Sequence, residues 1–160
     1  MRRIPTAICC LALIAVLTDC GHDTERFYSA RADAEKGGEF TRGWLPDFLP
    51  KTSHKIHLAY DLSPSEEWCG FEFDPLEAEQ LLNSIEPVNP AAPPIPAIPS
   101  PSVQWWPKFL EGDLDGRTLQ RAAQSGVALY SVTRRLSQVQ NVTLVFAIDR
   151  RSGRAYFYGH

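Results

Sequence analysis

The chain is short of the devices that small proteins use in place of a core. Only four of its 160 residues are cysteine, and Cys9 and Cys10 fall within an apolar leader, so Cys20 and Cys69 alone remain. That excludes a disulfide scaffold. No apolar run reaches the about 20 residues of a bilayer-spanning helix; the stretch over residues 4–18 ends sooner. Positive charge is also in deficit, with 16 Lys and Arg against 19 Asp and Glu. The basic residues form no recognisable binding motif, which argues against nucleic acid as a partner. What is present is ordinary for a globular chain: 44% apolar and 22% charged residues, with roughly 140 residues past the leader, enough to bury a core without a metal or a disulfide framework.

The leader is the strongest local signal. Met1-Arg2-Arg3 is positive, residues 4–18 are nearly all apolar, and Gly21-His22-Asp23-Thr24-Glu25-Arg26 turns polar at once. This profile predicts a secretory signal peptide over residues 1–19. Leu17-Thr18-Asp19-Cys20 resembles a bacterial lipobox, in which lipidation would fall on Cys20. Asp19 departs from the small residue expected before the cysteine, so ordinary cleavage and an uncleaved anchor stay open. The lipoprotein resemblance implies, with Gly21 after Cys20, membrane anchoring at the outer membrane of a Gram-negative envelope, and otherwise a periplasmic protein.

Charge divides the rest of the chain. Residues 20–101 hold 6 basic and 14 acidic side chains, a net of −8, and residues 102–160 hold 8 and 4, a net of +4. Either the halves pair within one fold, or the acidic half offers a face to a basic partner. Residues 20–38 read as a tether or a short helix, with Phe27, Ala30 and Ala34 at helical spacing and Gly37-Gly38 as a break. A single domain is expected over 39–160. Pro46 and Pro50 bracket a turn that lays Trp44, Leu45, Phe48 and Leu49 on the core. Ile56, Leu58 and Tyr60 alternate as a strand, and a second strand around residues 68–73 returns antiparallel to it. Asp74 and Pro75 open a helix, with Glu77 placed to reach back to the cap and Leu76, Leu81, Leu82 and Ile85 as its apolar stripe.

Seven prolines between Pro87 and Pro101 predict an extended surface loop outside any sheet ladder, with a docking ligand as the functional alternative. A short helix is expected over 117–124, then a β-meander over 127–134, 142–149 and 154–158. The fold class is therefore α+β: an antiparallel β-sheet, made of an N-terminal hairpin and a C-terminal meander, with few helices packed on it.

Gly43-Trp44-Leu45-Pro46-Asp47-Phe48-Leu49-Pro50, followed by Ile56-His57 and Phe71-Glu72-Phe73, resembles the opening of the small exported bacterial proteins called YbbD-head-like. The resemblance spans about residues 39–85. It implies a small exported domain and carries no activity, cofactor or catalytic residue with it.

The residues capable of chemistry read mostly as structure. His54 and His57 would need two further ligands to hold a transition metal. Asp113-Leu114-Asp115-Gly116 lacks the later ligands of a calcium loop and reads as a turn. Ser125 is not on a nucleophile elbow. Glu66-Glu67 and Glu77-Glu79 read as solvated charges, because strand neighbours face opposite ways. Trp44, Trp68, Trp105 and Trp106 read as core, with a sugar-binding platform as the alternative. Cys69 falls on the strand face of Phe71 and Phe73, buried and inert if that face points inward, and a Cys20–Cys69 disulfide is the rival outcome. No catalytic, cofactor-binding or metal residue is expected, and Cys20 is the one modification site. The sequence thus points to a non-catalytic binding or support domain in the cell envelope, with a protein partner there and membrane attachment through its N-terminal lipid. The alternatives are an enzyme acting on an envelope polymer and an immunity or inhibitor protein for a secreted partner.

Overall fold

The computed structural model describes residues 24–62, 65–89, 97–135 and 141–160. The leader, Cys20 and the middle of the Pro-rich segment lie outside the described residues. The strands are β1 (Thr24–Ala30), β2 (His54–Leu62), β3 (Ser65–Glu72), β4 (Glu86–Pro87), β5 (Ala128–Arg135), β6 (Asn141–Asp149) and β7 (Arg154–Gly159). The α-helices are α1 (Arg31–Lys36), α2 (Ala78–Leu82) and α3 (Gly116–Gln124). All seven strands join one antiparallel sheet in the order β1-β2-β3-β7-β6-β5-β4. No described helix is long and apolar enough to cross a membrane.

The expected hairpin and meander are both present, and β7 welds them by pairing with β3 on one side and β6 on the other. That junction brings the acidic and basic halves into one fold. Arg154 lies 3.8 Å from Glu72, Arg134 3.7 Å from Glu67, and Arg150 bonds Glu79. These contacts join the acidic half to the basic half within the fold.

Both sheet faces are covered, which explains why β6 is almost continuously apolar. Val142, Leu144, Phe146 and Ile148 share one face with Leu58, Cys69, Phe71 and Phe157, under Leu45, Leu49 and Leu81. Val145 and Ala147 share the other with Trp68 and Tyr158, under Ile98, Trp106, Leu110 and Ala122. Each large side chain so enclosed contributes about 1.5–3 kcal/mol.

Three expectations are corrected. Residues 24–30 form edge strand β1 rather than a tether or helix, with Tyr28 opposite Ile56 and Phe27 opposite His57. The helical spacing of Phe27, Ala30 and Ala34 yields because nine-residue β2 offers a ladder of backbone partners, and only Ala34 lands in α1, fully buried. The start at Asp74 caps as expected, its Oδ1 accepting from Leu76 N at 2.9 Å. Its first turn, however, is 3-10 over Pro75–Glu77, which leaves Leu76 89% exposed. Glu77 does not reach back to the cap; its Oε2 accepts from Thr52 N and Oγ1. Finally, the Pro-rich segment enters the sheet. Pro87 pairs with Tyr130 in two-residue β4, tolerated because an edge strand leaves one side unpaired. Beyond 90–96, Ile98 is buried, exchanges hydrogen bonds with Gly112, and Trp68 Nε1 donates to Pro99 O.

Candidate functional site

Glu67 carries the largest departure from the sequence reading. Strand alternation sends it to the core face with Cys69 and Phe71, and it is only 4% exposed rather than solvated. Gly159 makes the room. It pairs opposite Glu67 across β3 and β7, and a Cβ at 159 would stand 2.6 Å from Glu67 Oε1 and 2.7 Å from Leu144 Cδ2. The carboxyl therefore lies where a side chain of residue 159 would otherwise be.

Its charge is poorly answered there. Arg134 Nη2 approaches Oε1 only to 3.7 Å and donates its hydrogen bond to the Gly43 carbonyl instead. Glu67 Oε1 and Arg134 Nε both lack a hydrogen-bond partner. Burial raises the Glu67 pKa more than Arg134 lowers it, and the carboxyl is pushed up to about 8. Near neutral pH it holds its proton.

Glu67 borders a cavity of about 240 Å³ at the end of the core, walled also by Arg42, Trp44, Leu62, Glu66 and His160. Trp44 stacks on Tyr60 with ring centroids 4.5 Å apart and 16° between planes. His160 Nε2 is buried without a hydrogen-bond partner. Ser65 lines the cavity too, yet His160 Nε2 takes no proton from it, so serine and histidine are not coupled through that nitrogen. The cavity is thus bordered by a buried acid and an imidazole, beside aromatic and aliphatic wall.

A second, shallower groove of about 190 Å³ opens on the other sheet face, between Lys55, His57, Glu72, Trp105, Arg154 and Tyr156. Gly70 opens it: a Cβ there would meet Tyr156 at 3.1 Å and Trp105 at 3.3 Å. Its charges answer one another. Glu72 takes Lys55 at 2.8 Å, His54 at 3.5 Å and Arg154 at 3.8 Å, and the Lys55 hydrogen bond leads in drawing its pKa down.

The other singled-out residues fall into structural places. His54 and His57 are not brought together: a register irregularity separates them in β2, His54 lies near Glu72, and His57 packs between Phe27 and Trp105. Among the described residues no group of three His, Cys, Asp or Glu could hold a metal. Asp115 caps α3 by accepting from Arg117 N and Thr118 N at 2.9 Å, and Ser125 is the C-cap of the same helix. Trp68 and Trp106 are buried, while half-buried Trp105 donates to Glu25 at 2.7 Å. Cys69 is a free, fully buried thiol whose pKa burial raises. Sequence reasoning missed Glu67, although its strand parity with Cys69 and the glycine at 159 were both legible.

Comparison with known proteins finds no matching curated protein and no matching solved structure. A family model does match, over residues 22–72, and it is described as the YbbD head domain. That span begins before the 39–85 stretch in which the motifs resemble the family, and it takes in β1, β2, β3 and the Trp44 turn. It supplies Arg42, Trp44, Leu62, Ser65, Glu66 and Glu67 to the cavity, whereas Val142, Gly159 and His160 come from beyond it. Over residues 22–72 the chain is similar to the YbbD head domain.

Proposed function

We propose that the protein is an exported envelope component, held at the membrane by a lipid on Cys20, whose domain binds a ligand without turning it over. The positive start, the apolar run and the lipobox-like Leu17-Thr18-Asp19-Cys20 support export and anchoring. The observation that carries the binding reading is the Glu67 cavity. A buried acid with an unpartnered oxygen opposes folding, and here the fold adds a glycine to accommodate it. Groups kept at such a cost are characteristic of sites.

Two measurements test the reading. Metabolic labelling with a fatty-acid analogue tags the wild type and fails on Cys20→Ser; an unlabelled wild type running soluble in the periplasm defeats the anchor. For the domain, ligands that raise the melting temperature of the wild type lose that effect in Glu67→Gln. Turnover of a bound envelope fragment would replace binding with catalysis.

A further inference from the structure

We propose that the Glu67 cavity receives one ammonium group on a short apolar stem, either a free amine or the side-chain amine of a peptide or polymer. The inference rests on reading the cavity as a binding site and names what fills it.

Once ionised, the Glu67 carboxylate only accepts, so a ligand that meets its charged form brings the hydrogen-bond donors. The cations of the fold do not fill that place. Arg134 stays at 3.7 Å and spends Nη2 on Gly43 O, while Arg42 Nη2 is committed to Glu39 at 2.8 Å and to Gly37 O at 2.6 Å. Glu66 lines the same cavity, and its Oε1 accepts from the Tyr158 hydroxyl at 2.8 Å. Trp44 lines it as well, and an indole face attracts a cation. Leu62 and Val142 supply apolar wall for a stem. At about 240 Å³ the cavity is smaller than the roughly 300–1,000 Å³ that hold drug-sized molecules, which suits one side chain or headgroup.

The proton balance follows. In the empty cavity Glu67 is protonated near neutral pH. On binding, the ammonium N–H donates to the Glu67 carboxylate and the carboxyl proton leaves to solvent. Affinity therefore rises with pH toward about 8. The titratable and charged groups around Glu67 are Tyr60 on β2, Glu66 and Cys69 on β3, Arg134 on β5, Arg42 in the turn and His160 after β7.

Calorimetric titration of the full chain tests this with n-pentylamine, its neutral N-acetyl derivative and Nα-acetyl-lysine methylamide, in two buffers of different ionisation enthalpy. The charged probes are expected to bind with proton release, the neutral amide at least about tenfold more weakly. Glu67→Gln should lose at least about tenfold in affinity for the amines while its melting temperature does not drop below that of the wild type. Pentylamine binding without the lysine derivative marks a free amine; lysine-derivative binding marks a peptide or polymer. Equal affinity for the neutral amide overturns the ammonium but leaves the site. Failure of every probe overturns the site itself. Binding without proton release, or untouched by Glu67→Gln, places the ligand elsewhere and overturns both. If Glu67→Gln does not fold, the wild-type affinity decides alone: no change between about pH 6 and about pH 8 overturns the proposal.

Discussion

Two buried glutamates lie at the same end of the sheet and live in opposite circumstances. Glu39 is fully buried, and its Oε1 accepts from Arg26 at 2.7 Å, Arg42 at 2.8 Å and the Tyr28 hydroxyl, leaving only Oε2 without a partner. These bonds tie β1 to the loop after α1. Glu67 is nearly as buried, yet no donor reaches its Oε1. The two corners are in contact through shared side chains: Arg42 bonds Glu39 and lines the Glu67 cavity, and Tyr60 stacks on Trp44 beneath Arg26. The difference lies in what each carboxyl is answered by. One takes three donors of the chain on a single oxygen and holds two segments together. The other has no donor on Oε1 and borders a cavity.

The sharpest way to break this comparison is Glu39→Ala, which strips three donors of their acceptor. Removing one partner of a buried ion pair costs about 3–5 kcal/mol, and the partial exposure of Arg26 and Arg42 places the expected loss at the low end, measured by urea unfolding. A loss below about 1 kcal/mol would show that Glu39 is no anchor.

Glu67→Gln should act the other way. The folded state holds a proton up to about pH 8 that the unfolded chain releases near its ordinary value of 4.5. The raised pKa means stability is fully present below about 4.5 and is lost as pH rises through about 8. The wild-type melting temperature should fall across that window, and the glutamine variant should not share the fall, gaining about 1–3 kcal/mol at the alkaline end. A flat wild-type profile would make Glu67 as well answered as Glu39.

Gly159→Ala puts a methyl into the space Glu67 occupies, at 2.6 Å from its Oε1. Overpacking of this kind costs about 1–2 kcal/mol, read by thermal melting, and should reduce amine binding while leaving the Glu39 corner intact. The smallest expected effect is that of Arg42→Ala, which removes one of three donors to Glu39 at a cost of about 1 kcal/mol. Because Arg42 also lines the cavity without bonding Glu67, the pH dependence due to Glu67 should survive it, and loss of that dependence would mean the two corners act as one.

Elements whose signals are local and mutually consistent are legible in the sequence. The alternation of Ile56, Leu58 and Tyr60 in β2, the Asp74 cap and the turn around Pro46 each state their outcome within a few residues. So does the inward face of Cys69, since parity with Phe71 suffices. β1 is not legible, because helical spacing within residues 24–36 competes with a partner strand some 30 residues on in the chain. The Pro-rich segment misleads for a related reason: prolines exclude a central strand, yet Pro87 at the sheet edge and buried Ile98 depend on Tyr130 and Gly112.

By itself the sequence determined the α+β class, the hairpin of β2 and β3 and the strands of the meander, all consequences of period and of backbone chemistry that act over a few residues. Tertiary structure alone decided that β7 would enter between β3 and β6. That insertion set Gly159 against Glu67 and held Arg134 short of it. Whether a buried charge is answered depends on where distant strands come to rest, and no local pattern around residue 67 records it.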